Sequence, residues 1–432
     1  MCKLALALVL LGVALPARGQ ERIHIDIRGS AGRDYQVAVQ RFEAEGEAAQ
    51  LRDDFHAGLI AALDYSGLLK VVPPEAFLAP QETRDFDSSA IDCSNWRGIG
   101  ADALVRGRLE VTRDRLRAHI KIWDTIRCRM QGKQARKDGD PQQFVLLARA
   151  LADDIVERFT GRRGVASTQI AFVSDGEGNK EVVVMEADGS NKRHVTRNGA
   201  INLFPAWSPD TRSLLYTSFK GGRPDLWMIF RGPRQGAKLL DQPYDKYRGV
   251  WAPSDGQLAV VMNLAGNTDI YSVDKRGNVL DRLTNGRSIE TSPAWSPDGK
   301  QLAFVSDRSG SPQIYVKNLG TRRTRRLTYE GNYNASPAWS PTGEWIVYMA
   351  RTGSSFDLYL IDPESGYTTP LVLHPRSDED PAWAPDGRKI VFASTRRGRY
   401  DLYRIDLDGG NLVRLTEDFG NCTNPSWSGW LN

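Results

Sequence analysis

From about residue 165 to the end, apolar and polar positions alternate in short runs, as in "KQLAFVSD" (residues 300–307) and "QIYVKNL" (residues 313–319). Period-two alternation rich in β-branched and aromatic residues predicts strands with one face buried. Turn-forming groups such as "SPDG" and "RSGSP" separate the runs, with Pro fixing φ and Gly supplying positive φ. Before residue 160 the pattern is mixed. Leu51, Phe55, Leu59 and Leu63 recur at four-residue steps and predict an amphipathic helix ended by Gly67. A second helix is expected over "PQQFVLLARALADDIVERFTG", with Pro141 near its start and Gly161 at its end. Strands are expected at "RIHIDIRG", "YQVAVQRF", "LLKVVP", "ADALVRGRLEV" and "RLRAHIKIWD", and a short helix at "DCSNWRGIG".

The alternating region is a repeat. Trp207, Trp251, Trp295, Trp339, Trp383 and Trp427 lie 44 residues apart without insertion. Seven residues after all but the last stands Leu214, Leu258, Leu302, Ile346 or Ile390, and one step back Ile170 continues the series. An acidic residue recurs as Glu181, Asp225, Asp269, Asp357 and Asp401, with Gln313 as the exception. Such an acid near a strand start is expected to accept from turn N–H groups. A threonine recurs as Thr196, Thr284, Thr328 and Thr416. Four antiparallel strands in 44 residues is the size of one propeller blade, and the turn residues inside each period rule out a helical repeat.

There are six copies of the second strand. The first blade lacks its innermost strand, and the last innermost strand, "NPSWSGWLN", has no blade after it. The surplus strand therefore fits the gap, and the ring closes without open sheet edges. The expected fold is an α/β N-terminal domain followed by an all-β six-bladed propeller closed by the C-terminal strand. The expected divisions are residues 1–19, 20–160 and 165–432. The tryptophans are expected to pack between blades.

Composition refines this reading. Residues 1–19 hold Lys3, the apolar run "LALALVLLGVAL" and small residues at Ala17 and Gly19, the pattern of a cleaved secretory signal. Cleavage takes Lys3 and Arg18 with it and lowers the formal charge from +4 to +2. No transmembrane segment is expected in the mature chain. The densest basic run, "RRTRR" (Arg322 to Arg326), reads as an exposed turn and strand edge, so no nucleic-acid partner is expected. In an oxidising compartment Cys93 and Cys128 can pair and leave Cys422 free; the spacing alone does not decide it. The sequence has no GxSxG, HExxH, P-loop or GxGxxG, and its five histidines form no ligand-spaced pair. No catalytic residue, cofactor or metal is expected.

The repeat is scaffold; its variation is concentrated in the connections that lead into each innermost strand. These read "RNGAINLF", "QPYDKYRG", "NGRSIETS", "YEGNYNAS", "HPRSDED" and "DFGNCTN". They should converge on one mouth of the central channel, as a protein-binding surface would.

A signal peptide, a small α/β domain and a six-bladed propeller with "PAWSPDG" repeats, together with "GRSIETSPAWSP" and "RRLTYEGNYNASPAW", resemble the TolB family of the Tol–Pal cell-envelope system. The resemblance implies a periplasmic, monomeric, non-enzymatic scaffold acting in outer-membrane integrity and cell division. It implies a Pal-like lipoprotein at the channel mouth and a TolA-like inner-membrane protein at the N-terminal segment Glu21, Arg22, Ile23, His24, Ile25, Asp26 and Ile27. The mouth residues it implies are Thr291, Asn334, Asp378 and Glu379, with Tyr247 and Phe204 as aromatic anchors. Asp378 and Glu379 are expected to form an acidic spot. The competing reading is the propeller of an exported peptidase or lyase.

Overall fold

The computed structural model describes residues 35–431 except 233–235, 241, 255 and 265. The signal-like stretch, the "RIHIDIRG" strand and the segment Glu21 to Ile27 lie outside the described residues.

The first part is a mixed sheet with helices on both faces. Tyr35–Val39 lies parallel between Leu69–Val71 and Ala103–Thr112. Ala103–Thr112 then pairs antiparallel with Arg115–Asp124. Helices α1 (Glu47–Ser66) and α3 (Phe144–Thr160) cover one face. Phe55, Leu59 and Leu63 from α1 and Leu151, Ile155 and Phe159 from α3 share a core with Val37, Val39 and Ile120. Helix α2 (Cys93–Gly98) covers the other face through Trp96, which meets Ala38 and Leu104. Val37 and Ala38 thus point to opposite faces, as pleating requires. Gly67 and Gly161 end α1 and α3 at left-handed φ of 69° and 72°.

His56 on α1 carries a buried, unpartnered Nδ1. Burial, helped by the charge of Arg41, lowers its pKa from 6.5 to about 4. The imidazole is therefore neutral in the folded state, while the unfolded chain takes up its proton as pH falls below 6.5. Its contribution to stability is complete above that pH and is lost progressively down to about 4. We expect on the order of 2 kcal/mol to be lost over that window. Urea titrations across it should show a shallower pH slope for His56→Gln than for the parent.

Six four-stranded sheets follow, and the first is completed by the C-terminal strand. Its order runs from Arg193–His194 through Glu181–Glu186 and Gln169–Ser174 to Cys422–Trp427. The expected closure is thus observed. Each tryptophan of the period packs onto the preceding blade: Trp251 joins the Leu215–Leu226–Leu258 cluster and Trp295 the Ala259–Val261–Ile270 cluster. Trp295 and Trp383 also donate their indole N–H to Val250 O and Ala338 O of the neighbouring innermost strand, at 3.3 and 2.9 Å.

The recurring threonines have a common role. Thr196, Thr284, Thr328 and Thr416 accept through Oγ1 from the N–H of Val182, Ile270, Ile314 and Leu402, at 2.7–2.9 Å. They thereby join the outermost strand to the third. The recurring acids are less uniform than expected. Glu181 accepts from the N–H groups of Asn198 and Gly199, and Asp357 from His374 N. Asp269 and Asp401 instead face arginines of the outermost strand, Arg282 at 2.5 Å and Arg414 at 2.8 Å. Where that strand offers a guanidinium, the charged donor outcompetes the turn amides.

The two parts are joined through α3. Asp153, 1% exposed, accepts from Ala166 N and Ser167 N at 2.7 and 2.9 Å. Arg149 reaches Glu186 and Asp188 of the first blade at 2.9 and 2.7 Å.

Candidate functional site

The channel wall consists of six innermost strands: Asn202–Trp207, Asp245–Trp251, Glu290–Trp295, Asn334–Trp339, Asp378–Trp383 and Cys422–Trp427. The register of every one shifts against its neighbour near its middle, which is a β-bulge. Alternation and bulge together sort successive residues into three rings, each repeating every 44 positions.

The first ring is Asn202, Lys246, Glu290, Asn334, Asp378 and Cys422, all buried and turned into their blades. Asn334 donates to Gln313 Oε1 and Glu330 O, both at 2.8 Å. Asp378 accepts from Arg396 at 2.9 Å. Arg308 holds Glu290 in the same way at 2.9 Å. Lys246 is fully buried and pairs with Asp225. The expectation that Asn334 and Asp378 face the mouth is therefore corrected. Adjacent strand residues point to opposite faces, so Asp378 and Glu379 cannot form one surface spot.

The second ring, one residue further along each strand, includes Thr291, Glu379 and Tyr247. Thr291 lines a cavity of about 440 Å³ together with Phe204, Ile289, Tyr333 and Asp380. Glu379 accepts from Tyr400 Oη at 2.8 Å. Burial pushes its carboxyl above the usual range, and the tyrosine's hydrogen bond partly offsets this. Tyr247 is half-buried against the Leu302–Phe304 cluster, and its hydroxyl donates to Asp245 at 3.3 Å. It is a packed tyrosine rather than a free anchor.

The third ring is Phe204, Arg248, Ser292, Ser336, Asp380 and Asn424; five lie within the bulges, while Arg248 pairs with Val261 just after the bulge at Tyr247. All but Arg248 adopt left-handed φ, between 48° and 52°. The structure thus places Phe204 inside the channel neck. Around the outer rim stand residues that strand alternation does not reveal. Ile201, Tyr244, Ile289, Tyr329 and Leu373 are 45, 41, 55, 71 and 61% exposed, and all sit in or beside the divergent connections. Their signal in the sequence is slight, since each is an isolated large apolar residue in or beside a mostly polar connection. Together they give the mouth an apolar lip around a polar throat, the composition of a protein-binding surface. Among the described residues no cluster of three metal-ligating side chains occurs, and no helix is long and apolar enough to cross a membrane.

Comparison with known proteins agrees with this architecture. Residues 23–131 match the TolB amino-terminal domain family, and residues 156–431 match the TolB beta propeller domain family. The "Tol-Pal system protein TolB" of Anaeromyxobacter dehalogenans is 34% identical over 291 residues, covering 67% of this chain and 66% of that protein. The protein of the same name from Desulfosudis oleivorans is 35% identical over 255 residues, 57% of either chain. The alignments thus span somewhat less than two thirds of these relatives. The crystal structure of TolB from Acinetobacter baumannii superposes with a TM-score of 0.76 over 92% of this chain and 97% of that one, at 23% identity.

Proposed function

Because this chain belongs to the TolB family, we propose that it serves the Tol–Pal system as a binding protein, not an enzyme, and engages a Pal-like lipoprotein at the channel mouth. The observation that carries this reading is the apolar lip of Ile201, Tyr244, Ile289, Tyr329 and Leu373 on loops that differ while the blades beneath them repeat. Thr291 and Glu379 would meet the partner inside that lip, with Phe204 deeper, in the neck. The segment Glu21 to Ile27 would engage a TolA-like inner-membrane partner, which would make the chain a link between the two membranes during constriction. A periplasmic location follows from the signal-like start, and the Cys93–Cys128 disulfide suits that oxidising compartment.

The test is calorimetric titration with the soluble part of a Pal-like lipoprotein. Interfaces concentrate their energy in a few central residues. Ile289→Asp and Glu379→Lys should each weaken binding at least about tenfold. Leu280→Ser, on the outermost strand Val279–Arg282 away from the mouth, should leave it unchanged. Full affinity in both mouth variants, with folding verified by circular dichroism, would place the interface elsewhere.

A further inference from the structure

The neck of the channel holds two charges of opposite sign, and among the described residues neither makes an ion pair at contact distance. The six third-ring residues come in ring order, so Arg248 and Asp380, three blades apart, stand on opposite sides of the axis. The guanidinium of Arg248 lies over the Phe204 ring at 5.2 Å and donates to Ser292 Oγ at 3.3 Å. Asp380 accepts from Ser336 Oγ at 3.0 Å and from Asn424 Nδ2 at 2.7 Å. The ring is therefore two half-rings of three residues, one centred on a cation and one on an anion. Every partner of either charge is neutral among the described residues. Burial lowers the pKa of Arg248, and Asp380 is the one charge that counteracts this.

Arg248 and Asp380 are each half-buried at the wall of the cavity, so each keeps a face to offer a ligand of opposite charge. Five left-handed non-glycine residues add backbone strain of the kind that persists where a site requires it. The neck is also reachable. Phe204, Arg248, Ser336, Asp380 and Asn424 line both the outer cavity of about 440 Å³ and an inner one of about 260 Å³, whose wall is otherwise mostly Pro, Ala and Trp. Those volumes fall in or near the range of small-molecule sites.

We propose that the neck binds a small dipolar ligand of the α-amino-acid or dipeptide class, its carboxylate on Arg248 and its ammonium on Asp380. Arg248 has N–H groups to spare for a planar carboxylate, and the Asp380 carboxylate keeps lone pairs for an ammonium. Ser292 and Asn424 hold the two charges in place, and the inner cavity accepts the rest of the ligand. This site does not depend on the partner assignment above, since it lies below the lip.

Calorimetry on the full mature chain tests the proposal with glycylglycine, acetate and methylammonium as probes. Glycylglycine should bind at least about tenfold more tightly than either single-charge probe. Arg248→Gln and Asp380→Asn should each remove about that factor, and Leu280→Ser should not. Glycylglycine binding no tighter than acetate or methylammonium would overturn the proposal, whatever the variants do. Parent affinity in both folded neck variants would overturn it as well. Loss of lipoprotein binding alone, in the separate titration, would bear only on the mouth.

Discussion

A chain lacking residues 421–432 will lose the cooperative melting of its propeller. The strand Cys422–Trp427 pairs with Gln169–Ser174 in the register Cys422↔Ser174 to Trp427↔Ile170. Around it, Trp427 Nε1 donates to Thr168 Oγ1 at 2.8 Å, and Gln169 and Ser428 bond each other through N–H groups at 2.8 and 2.9 Å. Removing the strand leaves Gln169–Ser174 as a bare, fully apolar-flanked edge and empties the site of Trp427, 8% exposed. Loss of one buried tryptophan alone costs about 3–5 kcal/mol, and the unpaired strand adds an aggregation-prone edge. Since a domain's net stability is about 5–15 kcal/mol, the ring should open. Scanning calorimetry and size-exclusion chromatography would show a broad transition or aggregates. A monomer melting sharply at the parent temperature would refute velcro-like closure as the source of the ring's stability.

Replacing Cys93 and Cys128 by serine is expected to destabilise the α/β part by about 3–4 kcal/mol, the chain-entropy value for a loop of this length. The bridge spans 35 positions and ties the start of α2 to the turn after Arg115–Asp124. Cys93 is 3% exposed and follows Asp92, whose carboxylate caps α2 by accepting from Ser94 N at 3.0 Å. Without the bridge, α2 keeps that cap and Trp96, but the unfolded chain regains the freedom the loop denied it. Urea unfolding should therefore move the transition of this part to lower denaturant and leave the propeller's in place. An unchanged midpoint in the double variant would show that α2 is held by packing alone.

Most of the fold was legible from periodicity. The 44-residue spacing, the missing strand of the first blade and the two long helices all depend on local alternation and on chain arithmetic. The resemblance to the TolB family was legible for the same reason, since the repeated phrase and the order of its parts are properties of the chain itself. Some local elements escaped. Ala135–Gly139, with the polar sequence "ARKDG", is a strand only because Leu116–Ile120 offers it an edge.

The site was less legible. The loops could be identified as the variable part of the repeat, but not which of their residues face outward. Asn334 and Asp378 turn into their blades because Gln313 and Arg396 receive them there, and Lys246 is buried where Asp225 supplies its counter-charge. A bulge is a relation between two paired strands rather than a property of either one. The neck ring at 204, 248, 292, 336, 380 and 424 therefore could be placed in the channel only once pairing was known. The sequence by itself determined the number of blades, the closing strand and the positions of the tryptophans, because burial of alternating faces is written in the order of residues. The tertiary structure decided which side chain at each mouth position meets solvent and which opposite charges stand on opposite sides of the axis. Those depend on registers and partners contributed by strands up to about 260 residues apart, such as Gln169 and Ser428.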